Sequence, residues 1–368
     1  MWKKKFRNGT GKKNCHVKTD GREKSVLKNL KQDYFNAPFS HIYVEKSIQN
    51  HKRTKEILSK FQRAQVVVID HYKDVFCRRG QVYGKQHQAP ALILASKQGN
   101  RIYEGAAVCQ SFGNEYFYYT SCIMNCIYDC EYCYLKGMYP SGNLVVFVNI
   151  EDYFEELEQI LQKHSAYVCV SYDTDLLAME SLTGFVENWV SFAAKHKNLR
   201  LEIRTKCGRM DLWEVMKPLE NVYYAFTLSP QSVIDQYEHG TASASQRIAS
   251  AKKAMEQGFP VRLCFDPMIY CKDWKEQYEK LLKQVIERLD MGKLTDVSIG
   301  SFRISQEYFK KMRKANPDSA IVWFPYDVKD GVYQYPQPLM EEMEQFLLEK
   351  IKEYIPEEKI FRWGTDDE

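Results

Sequence analysis

Four cysteines fall within twelve residues in the segment Thr120-Ser-Cys-Ile-Met-Asn-Cys-Ile-Tyr-Asp-Cys-Glu-Tyr-Cys-Tyr-Leu135. Thiolates this close repel one another unless a metal neutralises them. Cys126, Cys130 and Cys133 are spaced C-x3-C-x2-C. That spacing lets one loop hold three corners of an iron–sulfur cube and leaves one iron without a protein ligand. An iron with an open position binds a small molecule, so the spacing points to catalysis rather than plain electron transfer. The competing reading adds Cys122 to make a four-thiolate structural zinc site. Such sites usually join two close pairs across a longer loop, and here one C-x2-C stands without a second pair. A 4Fe-4S cluster on Cys126, Cys130 and Cys133 is the expectation.

With Tyr132 directly before the last cysteine, the loop resembles the radical S-adenosylmethionine (SAM) superfamily. The run Cys130-Glu-Tyr-Cys-Tyr-Leu135 resembles, more closely, the spore photoproduct lyase family. The likeness continues through Ser171-Tyr-Asp-Thr-Asp175, Arg204-Thr-Lys206, Glu238-His-Gly-Thr241 and Trp274, over roughly residues 40–365. The resemblance implies two cofactors, a 4Fe-4S cluster and SAM. It also implies that a 5′-deoxyadenosyl radical abstracts hydrogen from a methylene-bridged thymine dimer in DNA, restoring two thymines. The implied partners are damaged DNA and a reducing electron donor such as flavodoxin or ferredoxin.

At one position the chain departs from the family, which carries a hydrogen-donating cysteine just after the second core strand. The matching residue here is Tyr172. A phenol can return a hydrogen atom to a carbon radical, with different geometry. Cys169 stands three residues earlier, which on a strand places it on the opposite face; it reads as a buried small apolar residue. Cys109, in the segment leading into the cluster loop, is the better-placed stand-in. Tyr132 and Tyr134 match two tyrosines that relay hydrogen in the family, and packing is the alternative role for each.

Further candidates lie at strand ends. Lys206 is positioned to meet the methionine carboxylate of SAM, or else it is a solvated lysine. Asp175 and Ser229 stand where barrel chemistry concentrates, with local capping as the alternative. Arg303, the run Trp323-Phe-Pro-Tyr326 and the run Tyr333-Gln-Tyr335 together read as a damaged-DNA surface or as ordinary aromatic packing. Two other functions remain open: a same-fold radical SAM enzyme with a different substrate, favoured by Tyr172, and a non-catalytic cluster-bearing nucleic-acid-binding module.

The elements that must hold these residues are legible from periodicity. Gln65–Asp70 and Ala91–Ala95 read as buried strands. After Pro140, strands at Leu144–Val148, Tyr167–Ser171, Leu199–Thr205, Val222–Leu228, Val261–Phe265 and Val297–Ile299 alternate with helical stretches. That alternation predicts a parallel sheet of βα units, about six of them, too few to close an eight-fold barrel. The expected fold class is α/β: a partial (β/α)6 TIM-like barrel of the radical SAM type with an N-terminal α/β extension. The expected division is a basic arm at 1–38, the extension at 39–115, the partial barrel at 116–335, and a C-terminal helix and tail at 336–368.

Composition agrees with a globular enzyme. Hydrophobic residues are 44% and charged residues 27% of the 368, which excludes wholesale disorder. No apolar run approaches the ~18 residues of a membrane span, and the basic start lacks the apolar core of a secretory signal. Eleven cysteines without an export signal suggest reduced thiols and metal ligands in a cytoplasmic enzyme. The net charge of +4 hides an asymmetry: residues 1–31 hold 11 Lys/Arg against 2 Asp/Glu, and the remainder 41 against 46. Such an arm contacts phosphates or is a solvated leader.

Overall fold

The computed structural model describes residues 39–106 and 109–362. The basic arm at 1–38 and the tail from 363 lie outside the described residues.

Two open sheets organise the chain. The larger has eight strands. Its parallel body runs from Phe117–Thr120 through Ala166–Cys169, Leu199–Thr205, Val222–Thr227, Val261–Met268 and Asp296–Ser301 to Ile360–Arg362. The edge strand Ile102–Glu104 pairs antiparallel with Phe117–Thr120. Six successive βα strands thus form the expected partial barrel, extended at one edge by Ile360–Arg362, the last strand among the described residues.

The smaller sheet has five strands. Its parallel part comprises Gln65–Ile69, His41–Glu45, Leu92–Ala95 and Leu144–Phe147, and Ile123–Met124 joins antiparallel. Here one expectation is corrected. Leu144–Phe147 forms as a strand but sits in this smaller sheet, and the first barrel strand is instead Phe117–Thr120. The apolar run Leu-Val-Val-Phe is buried on both faces, which suits a central strand of any parallel sheet. Phe117-Tyr-Tyr-Thr is only partly buried over its first three residues, and so gives a weaker signal.

Helices between the strands bury one face each. In Ile150–Leu161 the buried residues are Ile150, Tyr153, Leu157 and Leu161, with Glu151 and Asp152 in the first turn, where acidic groups complement the helix dipole. The apolar stretch after Ala166–Cys169 forms two helices, Leu176–Thr183 and Phe185–Ala193, broken at Gly184 with φ +69°. Ala244–Glu256 opens on a capping box between Ser243 and Gln246. The core is continuous across both sheets: Leu92–Ala95 and Leu144–Phe147 are almost wholly buried, and each buried Leu, Val or Ile contributes about 2 kcal/mol. Among the described residues no helix is long and apolar enough to cross a membrane.

Candidate active site

Five of the six barrel strands deliver residues to one cavity of about 340 Å³ at the carboxyl ends of the strands, where βα barrels place their chemistry. Cys126, Cys130 and Cys133 all line it. Short backbone pairings fix their loop: Asp129–Cys130 forms a two-residue ladder with Glu238–His239, and the Cys133 N–H donates to the Cys130 carbonyl at 3.1 Å. The Tyr128 N–H donates to Cys126 Sγ at 3.5 Å. Burial pushes the Cys130 thiol up to about 12, so thiolates here require a cation's charge.

Cys122 stands apart. It is fully buried, beside the Trp189 indole, and does not wall the cavity. A four-thiolate zinc site needs every sulfur about 2.3 Å from one centre, and Cys122 faces elsewhere. A cube carries its irons at separate corners and asks only that three thiols face one space, as these do. The donor set fits an iron–sulfur cluster. Anaerobic reconstitution is expected to load about four iron and four sulfide per chain. Cys126→Ala, Cys130→Ala and Cys133→Ala should each lose them, and Cys122→Ala should keep them. Equal loss in Cys122→Ala and Cys126→Ala, read by iron assay and absorbance, would overturn the assignment.

The candidate hydrogen donors converge. Cys109 and Tyr172 both line the cavity, with Cys109 Sγ 3.5 Å from the Tyr172 hydroxyl. The Tyr172 ring stacks on Tyr119 at 4.1 Å and lies 5.8 Å from that of Tyr134. The Tyr134 hydroxyl donates to the Tyr172 carbonyl at 2.6 Å. Burial raises the pKa of both the Cys109 thiol and the Tyr172 phenol, so both keep their hydrogens, as atom donors must. Cys169 corrects the period-two expectation, since it lines the same cavity. The strand ends at Cys169, so alternation no longer governs residues 170–172. Its thiol is turned to Glu202, donating to Oε1 at 3.7 Å.

The other candidates divide. Lys206 Nζ lies 5.3 Å from the Tyr132 ring centroid, and negative charge on Cys130, as a thiolate, and on Glu238 favours its charged form against burial. Tyr132 lines the cavity, while its hydroxyl donates to Glu238. Glu238 also accepts from Ser229 at 2.8 Å and from Arg247, a buried knot that sequence reasoning missed. Ser229 belongs to that knot and is not on the cavity wall. Asp175 is on the wall, but its carboxylate accepts from Thr205 Oγ1, the Lys206 N–H and the Ala178 N–H; it caps a helix and ties down the strand end bearing Lys206. Arg303 lines the cavity in a bidentate pair with Asp266 at 3.1 and 3.2 Å. Phe324, Tyr326 and Tyr335 pack on one another, whereas Trp323 is 63% exposed.

An open parallel βα barrel with a three-cysteine loop at its carboxyl-end mouth defines a radical SAM enzyme. The family model described as spore photoproduct lyase matches residues 114–363, and the chain belongs to that family. A spore photoproduct lyase of Clostridium acetobutylicum is 25% identical over 251 residues, covering 63% of this chain and 72% of that relative. The fold matches a spore photoproduct lyase complexed with dinucleoside spore photoproduct with a TM-score of 0.74 at 16% identity, over 90% of this chain and 99% of that one. A double mutant with bound AdoMet and dinucleoside spore photoproduct gives 0.73 at 18%, over 89% and 99%.

Proposed function

We propose that this protein is a cytoplasmic radical SAM lyase that reverses the methylene-bridged thymine dimer in DNA, with Cys109 as its hydrogen donor and Tyr172 as the residue that re-arms it. The observation that carries this reading is the shared cavity: the three-thiol loop and the Cys109–Tyr172 pair, 3.5 Å apart, wall the same space.

The cluster and SAM, when bound, supply a 5′-deoxyadenosyl radical by one-electron cleavage of SAM. The protein orients the reactants and excludes water around them. Cys126, Cys130 and Cys133 hold the cluster; Lys206 offers its ammonium to the SAM carboxylate, and Tyr132 packs beneath that ammonium. After the bridge breaks, the Cys109 S–H gives its hydrogen atom to the thymine carbon radical, forming a C–H bond and leaving a sulfur radical. The Tyr172 O–H then gives its hydrogen atom to that sulfur, and the phenoxyl radical left behind, with Tyr134 next in line, would recover a hydrogen atom from the methyl group of the 5′-deoxyadenosine formed earlier in the turnover, restoring the radical that SAM cleavage supplied. A flavodoxin or ferredoxin would reduce the cluster.

Reduced, reconstituted protein with SAM and a dinucleoside spore photoproduct is expected to release the thymine dinucleoside. SAM cleavage without dimer reversal would transfer the chain to the reading in which a different substrate is used. Residues 1–31 carry all of the positive excess, the remainder being net negative. Deleting them is expected to weaken non-specific duplex binding and flatten its salt dependence, leaving substrate-free SAM cleavage unchanged. An unaltered salt slope would show the arm to be a bystander.

A further inference from the structure

A six-residue helix, Tyr83–Gln88, lies outside the residues that the family model matches, yet it touches the cluster loop at both ends. The Tyr83 hydroxyl donates to Asn125 Oδ1 at 3.2 Å, at the left-handed residue (φ +69°) that turns the chain into Cys126. His87 Nε2 stands 2.8 Å from the carbonyl oxygen of Cys126 itself. Gln86 Oε1 accepts from Ser141 Oγ at 3.0 Å and from the Gly142 N–H at 3.1 Å, where the chain leaves the loop. Asn125 ties entry to exit, donating to the carbonyls of Ser141 and Asn143 at 2.7 and 2.6 Å. The approach is close enough to require glycine: a Cβ on Gly142 would stand 2.6 Å from the Tyr83 carbonyl oxygen and 2.7 Å from the His87 nitrogen.

We infer that the helix Tyr83–Gln88 is a clamp on the cluster loop, and that His87 is a positioning residue which, through the Cys126 carbonyl, governs how firmly the iron–sulfur cluster is held. The inference rests on the cluster reading above. A carbonyl oxygen only accepts, so His87 donates from Nε2. Drawing that carbonyl toward the helix fixes the turn in which the Tyr128 N–H faces Cys126 Sγ at 3.5 Å. Hydrogen bonds to cluster sulfurs raise the reduction potential, and partners behind a metal's ligands typically change metal affinity 10–100-fold.

The test uses the full chain, reconstituted anaerobically, and compares wild type with H87Q, H87F and G142A. Gln places an amide N–H where Nε2 stands; Phe fills the space without a donor. Iron release to an excess of chelator is expected to be about tenfold faster in H87F and G142A and near the wild-type rate in H87Q. The cluster potential should move negative in H87F and not in H87Q. The thermal midpoints of the iron-free proteins should separate loop positioning from loss of fold. Equal release rates and potentials in H87Q and H87F would overturn the role of His87, whichever rate they share. Wild type that binds no iron would instead overturn the cluster reading, and the clamp with it.

Discussion

Cys109→Ala is expected to lower clean thymine release on the order of 100-fold while SAM cleavage continues. A hydrogen atom passes to a carbon radical only from a donor held at about 3–3.5 Å, and losing such placement costs about that factor. The unquenched radical should divert into side products, so the readout is the product ratio by chromatography, together with SAM consumed per dimer repaired. Cys169, the other donor-side thiol on the wall, is turned to Glu202, and Cys169→Ala should keep thymine as the main product. Tyr172→Phe removes only the hydroxyl 3.5 Å behind Cys109. Its first turnover should be normal, and later turnovers should slow as the sulfur radical waits for hydrogen. If Tyr172→Phe abolishes the first turnover and Cys109→Ala does not, the direct donor is the phenol and the order of the pair is reversed. Tyr172→Cys, which puts a thiol at the family's own position, should retain repair in either case. A chain in which wild type and Tyr172→Cys both cleave SAM but ignore the dimer has another substrate.

What the sequence revealed of this site depended on whether the chemistry was local. Cys126, Cys130 and Cys133 are close in sequence and share one loop, so their spacing alone raised the expectation of a cluster, and the fold brings all three to one cavity. Cys122 is just as close in sequence, and only the fold sets it off the cavity wall. The pairing of Cys109 with Tyr172 spans 63 residues, and no periodicity encodes it; only a likeness to a family with a donor at the second position directed attention there. Alternation misplaced Cys169 because it holds only while a strand lasts. The knot of Glu238, Arg247, Ser229 and Tyr132 joins a short strand, a helix, the end of a barrel strand and the cluster loop, and such buried polar convergence leaves no local pattern. The same applies to His87, which reads as one polar residue among several in a short polar helix. In the fold, long buried runs such as Val261–Phe265 were recognisable as strands, but which sheet takes a run is decided by partners. Leu144–Phe147 has the residues of a central strand and finds its neighbours in the smaller sheet.

The second large effect concerns stability, at the floor of the cavity. Glu202 is 2% exposed and is surrounded by donors: Arg204 Nε at 3.1 Å, Arg262, and the hydroxyl of Tyr167. Burial alone would raise its pKa; Arg204 and then Arg262 outweigh burial and bring the carboxyl down to about 2 from an ordinary 4.5. That drop corresponds to roughly 3 kcal/mol of folding stability, in line with the ~3–5 kcal/mol cost of removing one partner from a buried ion pair. Glu202→Gln is therefore expected to lower the unfolding free energy of the iron-free protein by about 3 kcal/mol at pH 7. Arg262 keeps Asp296 as a partner, but Arg204 loses the carboxylate that its Nε bonds. The sign with pH follows from the depressed value. A carboxylate whose folded pKa lies below its unfolded one stabilises the protein fully above about 4.5, and this stabilisation fades as pH falls toward about 2. Other carboxylates titrate in both proteins, so the informative quantity is the difference between wild type and Glu202→Gln in denaturant unfolding. It should be largest at neutral pH, hold down to about pH 5, and shrink from there toward pH 2. A difference that stays constant across that window would mean that lost packing or hydrogen-bond geometry, not the buried charge, is what Glu202 contributes.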